Sequence, residues 1–194
     1  MLEYEDYQRK PTIENASEFI SCVLEQNLDI AATRKNYVDY LAHRPRVEKI
    51  GEHGLFTDEG EPVVLGQVQN QVADHKGIVW THVISLRRED AARLGYDSAV
   101  QWMALLRSKR AMLCKHMKID SANLKWYAAF HNESHHPHVH LLVYSVKDGE
   151  GYLTKQSIEA MRSELAHDIF RQDFANIYEE QAQSRMDLKE RSEV

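Results

Sequence analysis

The sequence predicts an α+β domain in which helices pack on an antiparallel sheet, and three observations carry that prediction. Two runs dense in β-branched and aromatic residues, LKWYAAFH (124–131) and HVHLLVYSV (138–146), are joined by the polar stretch NESHHP, which is hairpin spacing. A third run of the same character, GIVWTHVISL (77–86), precedes them behind a glycine. Apolar residues at helical spacing surround these runs, giving the order helix, strand, helix, strand, strand, helix.

Taken in order, Pro11 and Thr12 introduce a helix over 14–28, with Phe19, Ile20, Val23 and Leu24 among its apolar positions, and a second helix over 33–43 ends before Pro45. Residues 47–77 are rich in glycine and acids; GEHGLFTDEGEP reads as a mobile loop and VVLGQVQNQVADH as a short helix at best. RREDAARLGYDS reads as a polar connection. Asp97 or Ser98 then caps a helix over 98–118, with Val100, Met103, Ala104, Leu106, Met112, Leu113 and Met117 at its apolar positions. Arg107, Lys109, Arg110, Lys115 and Lys118 make its second half basic. Thr154 caps a long helix carrying Ile158, Met161, Leu165, Ile169 and Ile177 on one stripe, and Gln183 to Val194 form a charged, fraying end.

A chain of 194 residues fits one domain with a few added helices. The net charge of −6 argues against a surface that clings to nucleic acid throughout, and leaves a local basic surface compatible. No apolar run approaches the roughly 20 residues that span a bilayer, so membrane insertion is not expected. The opening MLEYEDYQRK carries acids where an export signal has a basic region, and a cytoplasmic location follows as the expectation. Cys22 and Cys114, far apart and in helical segments, are expected as buried thiols.

The chemistry concentrates in HNESHHPHVH, residues 131–140. Alternate side chains of a strand share a face, so His138 and His140 point the same way, and a hairpin through NESHHP brings His131 beside them. Three neutral imidazoles without a fourth protein ligand leave coordination positions open, as in a catalytic metal site. His135 and His136 fall in the turn, and Pro137 sets the entry into the second strand. Glu133 is placed to orient a ligand histidine from behind. An exposed polar turn, or a closed structural site completed by His135, His136 or Glu133, would carry the same residues.

HNESHHPHVHLLV resembles the third motif of the conjugative and mobilisation relaxases of the P class (MobA/MobL-like), within the HUH endonuclease superfamily; the hydrophobic residue between the histidines is Val139. NYVDYLAHRPRVEKIGEHGLF, VWTHVISLRREDAARLGYD and WYAAFHNESHHPHVHLLVYS fit the same family in that order, with a Tyr-Leu-x-x-Arg element upstream. The resemblance implies a relaxase/Rep-like fold whose sheet carries the HUH motif. It spans about 35–185, with a helical segment at 1–34 before it and a charged tail at 186–194 after it. Such relaxases usually open on a β-strand, where residues 1–34 here read as helical and acidic.

The activity it implies is nicking and rejoining of one DNA strand at a transfer origin through a 5′-phosphotyrosyl intermediate, for mobilisation of a plasmid or integrative element. Its partners would be single-stranded DNA, other relaxosome proteins and a coupling protein. A divalent ion, Mg²⁺ or Mn²⁺ with Zn²⁺ also suited to three histidines, would be held by His131, His138 and His140. Tyr40 matches the family's nucleophile position, Tyr37 one turn earlier is the runner-up, and His43 is a third candidate; Asp39 projects from another part of the helix and is not named as base. Arg34, Lys35, Arg44, Arg46, Arg87 and Arg88 are candidates for phosphate contacts, while Trp126 and Tyr127 are expected chiefly in the core. A DNA-binding accessory protein without nicking activity and an unrelated three-histidine hydrolase stand as the competing readings.

Overall fold

The three β-rich runs all become strands, and their antiparallel pairing builds the sheet that organises the first of the chain's two units. In the computed structural model the described residues are 8–10, 31–171, 173, 175 and 185. The helix expected over 14–28, Cys22, Ile177 and the charged tail lie outside them. The chain divides into two units, Met1–Tyr152 and Leu153–Val194. The first contains helix α1 (Ala31–His43), strand β1 (Leu55–Phe56), α2 (Leu65–Asp74), β2 (Val79–Ser85), α3 (Arg88–Leu94), α4 (Ala99–Ser108), α5 (Arg110–Met117), β3 (Leu124–His131) and β4 (His138–Ser145). In the second, α6 (Lys155–Ile169) starts at Thr154, whose hydroxyl accepts from the backbone N–H of Ser157 at 3.1 Å, the cap read from the sequence.

The sheet is antiparallel throughout, in the order β1-β3-β4-β2. β3 and β4 form the expected hairpin, with His131 opposite His138 and Ala129 opposite His140. β2 adds on the other side of β4, with Val83 opposite His140. Paired residues share a face, so one face carries Tyr127, Ala129, His131, His138, His140, Leu142 and Tyr144. Tyr37, Val38, Leu41 and Ala42 of α1 and Val68 and Val72 of α2 pack on its apolar part. The opposite face carries Trp126, Phe130, Val139 and Val143, and α4 covers it through Trp102, stacked on Phe130 at 6.2 Å between ring centroids.

Several sequence expectations change. GEHGLFTDEGEP is not wholly a mobile loop: Leu55 and Phe56, each 3 % exposed, pair with Ala129 and Ala128 as β1. Gly54 ahead of them is required by close approach, because a Cβ there would collide with Val47 Cγ2. Ten residues of VVLGQVQNQVADH form α2, because Val68 and Val72, one turn apart, are both buried in the core. RREDAARLGYDS contains α3, with Glu89 and Asp90 in its first turn, Arg93 in its last and Gly95 as a left-handed C-cap. The helix expected over 98–118 is two helices. Ser108 Oγ donates back to the Leu105 carbonyl at 2.6 Å, and this competition with the helical ladder ends α4 at the Lys109 break. Val100 is 58 % exposed rather than in the core, and Cys114 is only half-buried. Trp126 and Tyr127 are buried as expected.

Trp102 is fully buried, and its indole N–H donates to the Tyr96 carbonyl at 2.9 Å. Trp102→Ala is therefore expected to cost about 3–5 kcal/mol of unfolding free energy, read as a lowered denaturant midpoint. An unchanged midpoint would remove the packing of α4 from the core.

Candidate metal centre

The β3–β4 register places His131, His138 and His140 at one end of a single sheet face, and their rings lie 4.8 to 5.2 Å apart by centroid. One ligand atom from each falls within 4.8 Å of the others. They are 0 %, 4 % and 3 % exposed, so these three are not part of an exposed turn. His135 is exposed and His136 half-buried; they belong to the turn, as expected. His138 Nδ1 stands 2.9 Å from the His136 carbonyl and must donate to it, which leaves the lone pair on Nε2. Both ring nitrogens of His131 are buried, with the Leu41 backbone beside the ring and no side-chain hydrogen-bond partner among the described residues. Buried imidazoles of this kind are what an ion would satisfy, so the donor set fits a divalent metal.

Burial holds His131 and His140 well below the ordinary imidazole range, and the neighbouring histidines and Arg44 push them further down. Both are therefore neutral at pH 7, the form that can donate a lone pair to a metal. His82, also held down by burial, pairs with Leu141 on the opposite face and is not part of the centre.

The chain from α1 is fastened to the same end of the sheet. Val47 bridges to His131, the Glu48 N–H donates to the Phe130 carbonyl at 2.9 Å, and the Asn132 N–H donates to the Arg46 carbonyl at 2.9 Å. Arg46 adopts φ 66°, a left-handed conformation costly for a side-chain-bearing residue, and its guanidinium pairs with buried Glu133. Glu133 thus supports the turn through Arg46, and its backbone N–H donates to the His131 carbonyl at 3.0 Å. No hydrogen bond joins its carboxylate to a ligand histidine among the described residues.

The two tyrosines occupy different positions. The Tyr37 hydroxyl lies 3.5 Å from His140 Nδ1, and Tyr37 is 6 % exposed. Tyr40 is half-buried, and the Arg44 guanidinium sits over its ring at 5.0 Å. Arg44, read from the sequence as a phosphate contact, is instead 3 % exposed, with Nη1 2.8 Å from His140 Nε2. The Tyr40 to Arg44 spacing, one helical turn, was the sequence signal for this adjacency. His43 is exposed, with Nδ1 3.3 Å from Oδ1 of exposed Asp39.

The remaining cations divide into those with structural work and those on the surface. Arg88 donates to Asn132 Oδ1 at 2.7 Å and to the Ser134 carbonyl at 3.2 Å, and also reaches the Glu133 carbonyl, so it clamps the histidine hairpin. Arg34 donates to the carbonyls of His75 at 2.5 Å and Gly77 at 3.5 Å. It lines a cleft of about 370 Å³ together with Tyr37, Lys76 and Thr81. Lys35 and Arg87 are exposed.

The neutral histidines set a pH dependence. Their folded pKa lies below the unfolded value of about 6.5, so the unfolded chain binds more protons as pH falls below that value, and stability drops on acidification. The limiting slope is about 1.4 kcal/mol per pH unit for each such group. Urea unfolding in chelator at pH 7 and pH 5.5 is expected to show a lower midpoint at pH 5.5; equal midpoints would contradict the neutral, buried assignment.

Among the described residues no helix is long and apolar enough to cross a membrane. Neither a curated protein nor a solved structure matches the chain. A family model of MobL relaxases matches residues 1–192, nearly the whole length. With three histidines gathered beside a tyrosine-bearing helix, the chain belongs to the MobL relaxase family.

Proposed function

We propose that this relaxase nicks and rejoins one DNA strand at a transfer origin, with Tyr40 as nucleophile and His131, His138 and His140 as metal ligands. The observation that carries the reading is the convergence, in a MobL relaxase, of three buried histidines with Arg44, which contacts both His140 and the Tyr40 ring. When bound, a divalent ion supplies positive charge for a non-bridging phosphate oxygen, and three imidazoles suit Mn²⁺ better than Mg²⁺.

The protein residues do the rest. Tyr40 Oη attacks phosphorus, the bond to the 3′ oxygen breaks, and the phenol proton ends on that oxygen, leaving a 5′-phosphotyrosine and a free 3′-hydroxyl. A phenol, with ordinary pKa of about 10, leaves more readily than an alkyl alcohol, so the 3′-hydroxyl can reverse the step without ATP. Tyr37 lies against His140 Nδ1 and orients that ring rather than attacking. The cleft beside Tyr37, walled by Arg34 and Lys76, gives room for a nucleotide flanking the scissile phosphate. Lys35 and Arg87 are the exposed cations proposed for phosphate contacts along the strand. A supporting position for other relaxosome proteins or a coupling protein would lie outside this centre.

A labelled single strand carrying the cognate origin, incubated with Mn²⁺, tests the reading. A covalent adduct is expected for the unaltered chain and for Tyr37→Phe at reduced rate, and none for Tyr40→Phe. An adduct that persists in Tyr40→Phe but vanishes in Tyr37→Phe would transfer the role to Tyr37, and binding without an adduct would favour a non-nicking accessory protein. Lys35→Ala and Arg87→Ala are each expected to weaken strand binding and to lower the log K against log salt slope by about 0.7, the value for one single-strand phosphate contact.

A further inference from the structure

His140 cannot serve as a metal ligand in the arrangement the side chains adopt, and the reason lies in Arg44. A guanidinium has donors only, so the Arg44 Nη1 contact at 2.8 Å makes His140 Nε2 an acceptor. The ring is neutral and buried, so its single proton is on Nδ1, facing the Tyr37 hydroxyl at 3.5 Å. One nitrogen has its lone pair engaged by Arg44 and the other carries hydrogen. His138 differs: its Nδ1 proton is committed to the His136 carbonyl, and the nitrogen left to offer a lone pair is the buried Nε2.

An ion bound by all three histidines therefore needs the same Nε2 lone pair that Arg44 holds. The two cannot share it, and a guanidinium beside a divalent ion in a buried site is electrostatically unfavourable as well. We propose that Arg44 is a displaceable occupant of the His140 lone pair: it keeps His140 in the Nδ1–H tautomer that a metal requires, and it must release Nε2 when an ion is taken up. Arg44 is thus a positioning residue that competes with the ion and lowers its affinity. Its place one helical turn from Tyr40 on α1, with its guanidinium over that ring, ties this exchange to the helix that carries the proposed nucleophile. The inference rests on the metal reading of the three histidines given above.

Calorimetric titration with Mn²⁺ alone, no DNA present, tests it on the unaltered chain, Arg44→Gln and Arg44→Lys, with circular dichroism confirming the fold of each. Arg44→Gln is expected to bind Mn²⁺ at least fivefold more tightly than the unaltered chain, and Arg44→Lys, which keeps a charged donor, to stay near the unaltered value. Equal or weaker binding by folded Arg44→Gln overturns the competition. Binding by none of the three chains overturns the metal centre itself, and the competition with it.

Should both variants fail to fold, ¹⁵N NMR of the unaltered chain titrated with Zn²⁺ decides. Without metal His140 is expected as the Nδ1–H tautomer, and Zn²⁺ is expected to shift His140 Nε2 and the Arg44 side-chain resonances together. Zn²⁺ on His140 Nε2 with Arg44 resonances unmoved would overturn the proposal.

Discussion

Strand register is the constraint on which this molecule depends. Side chains alternate across a sheet with period two, so pairing β3 and β4 one residue out would turn His138 and His140 to the α4 side and bring Val139 to the α1 side. The apolar residues hold the register in place: Trp126, Phe130, Val139 and Val143 must meet Trp102 and its neighbours, and Tyr127, Ala129 and Leu142 must meet α1. The histidines inherit their face from that core. Arg88 and the Arg46–Glu133 pair then hold the hairpin end where the three histidines sit.

Burial of three imidazoles would ordinarily be a liability, since each must lose its charge and find partners for its nitrogens. Here desolvation, reinforced by the neighbouring histidines and Arg44, keeps His131 and His140 neutral, the His136 carbonyl accepts a hydrogen bond from His138 Nδ1, and the Tyr37 hydroxyl lies 3.5 Å from His140 Nδ1. The same physics that costs stability at acid pH leaves a donor set whose chemistry fits a metal ion at neutral pH. Arg44 brings a fixed positive charge into this environment, which is why a single guanidinium contact bears on whether an ion can enter.

The proposed function rests on adjacency rather than on any one residue. α1 is tied to the histidine end of β3 by main-chain bonds from residues 47 and 48, so the segment carrying Tyr37, Tyr40 and Arg44 has a defined place relative to the three histidines. The left-handed backbone at Arg46 is the turn that makes this docking possible, and its cost is offset by the pair with Glu133 and the bond to Asn132.

Local pattern alone determined a good deal. Runs dense in β-branched and aromatic residues and a six-residue connection identified β2, β3 and β4, and the two-residue repeat of a strand placed His131, His138 and His140 on one face, because strand geometry is set by neighbours in sequence. The cap at Thr154 and the end of α1 before Pro45 were legible for the same reason. What local pattern could not determine is what required a partner distant in the chain. Leu55 and Phe56 look like loop residues until β3 supplies their hydrogen bonds, and α2 gains its stability from burial beside α1. Arg34, Arg44 and Arg88 read alike in sequence as cations for phosphate. Tertiary structure separates them, one donating to carbonyls near α2, one to the hairpin turn and one to His140, because a guanidinium's role is set by the acceptors within its reach.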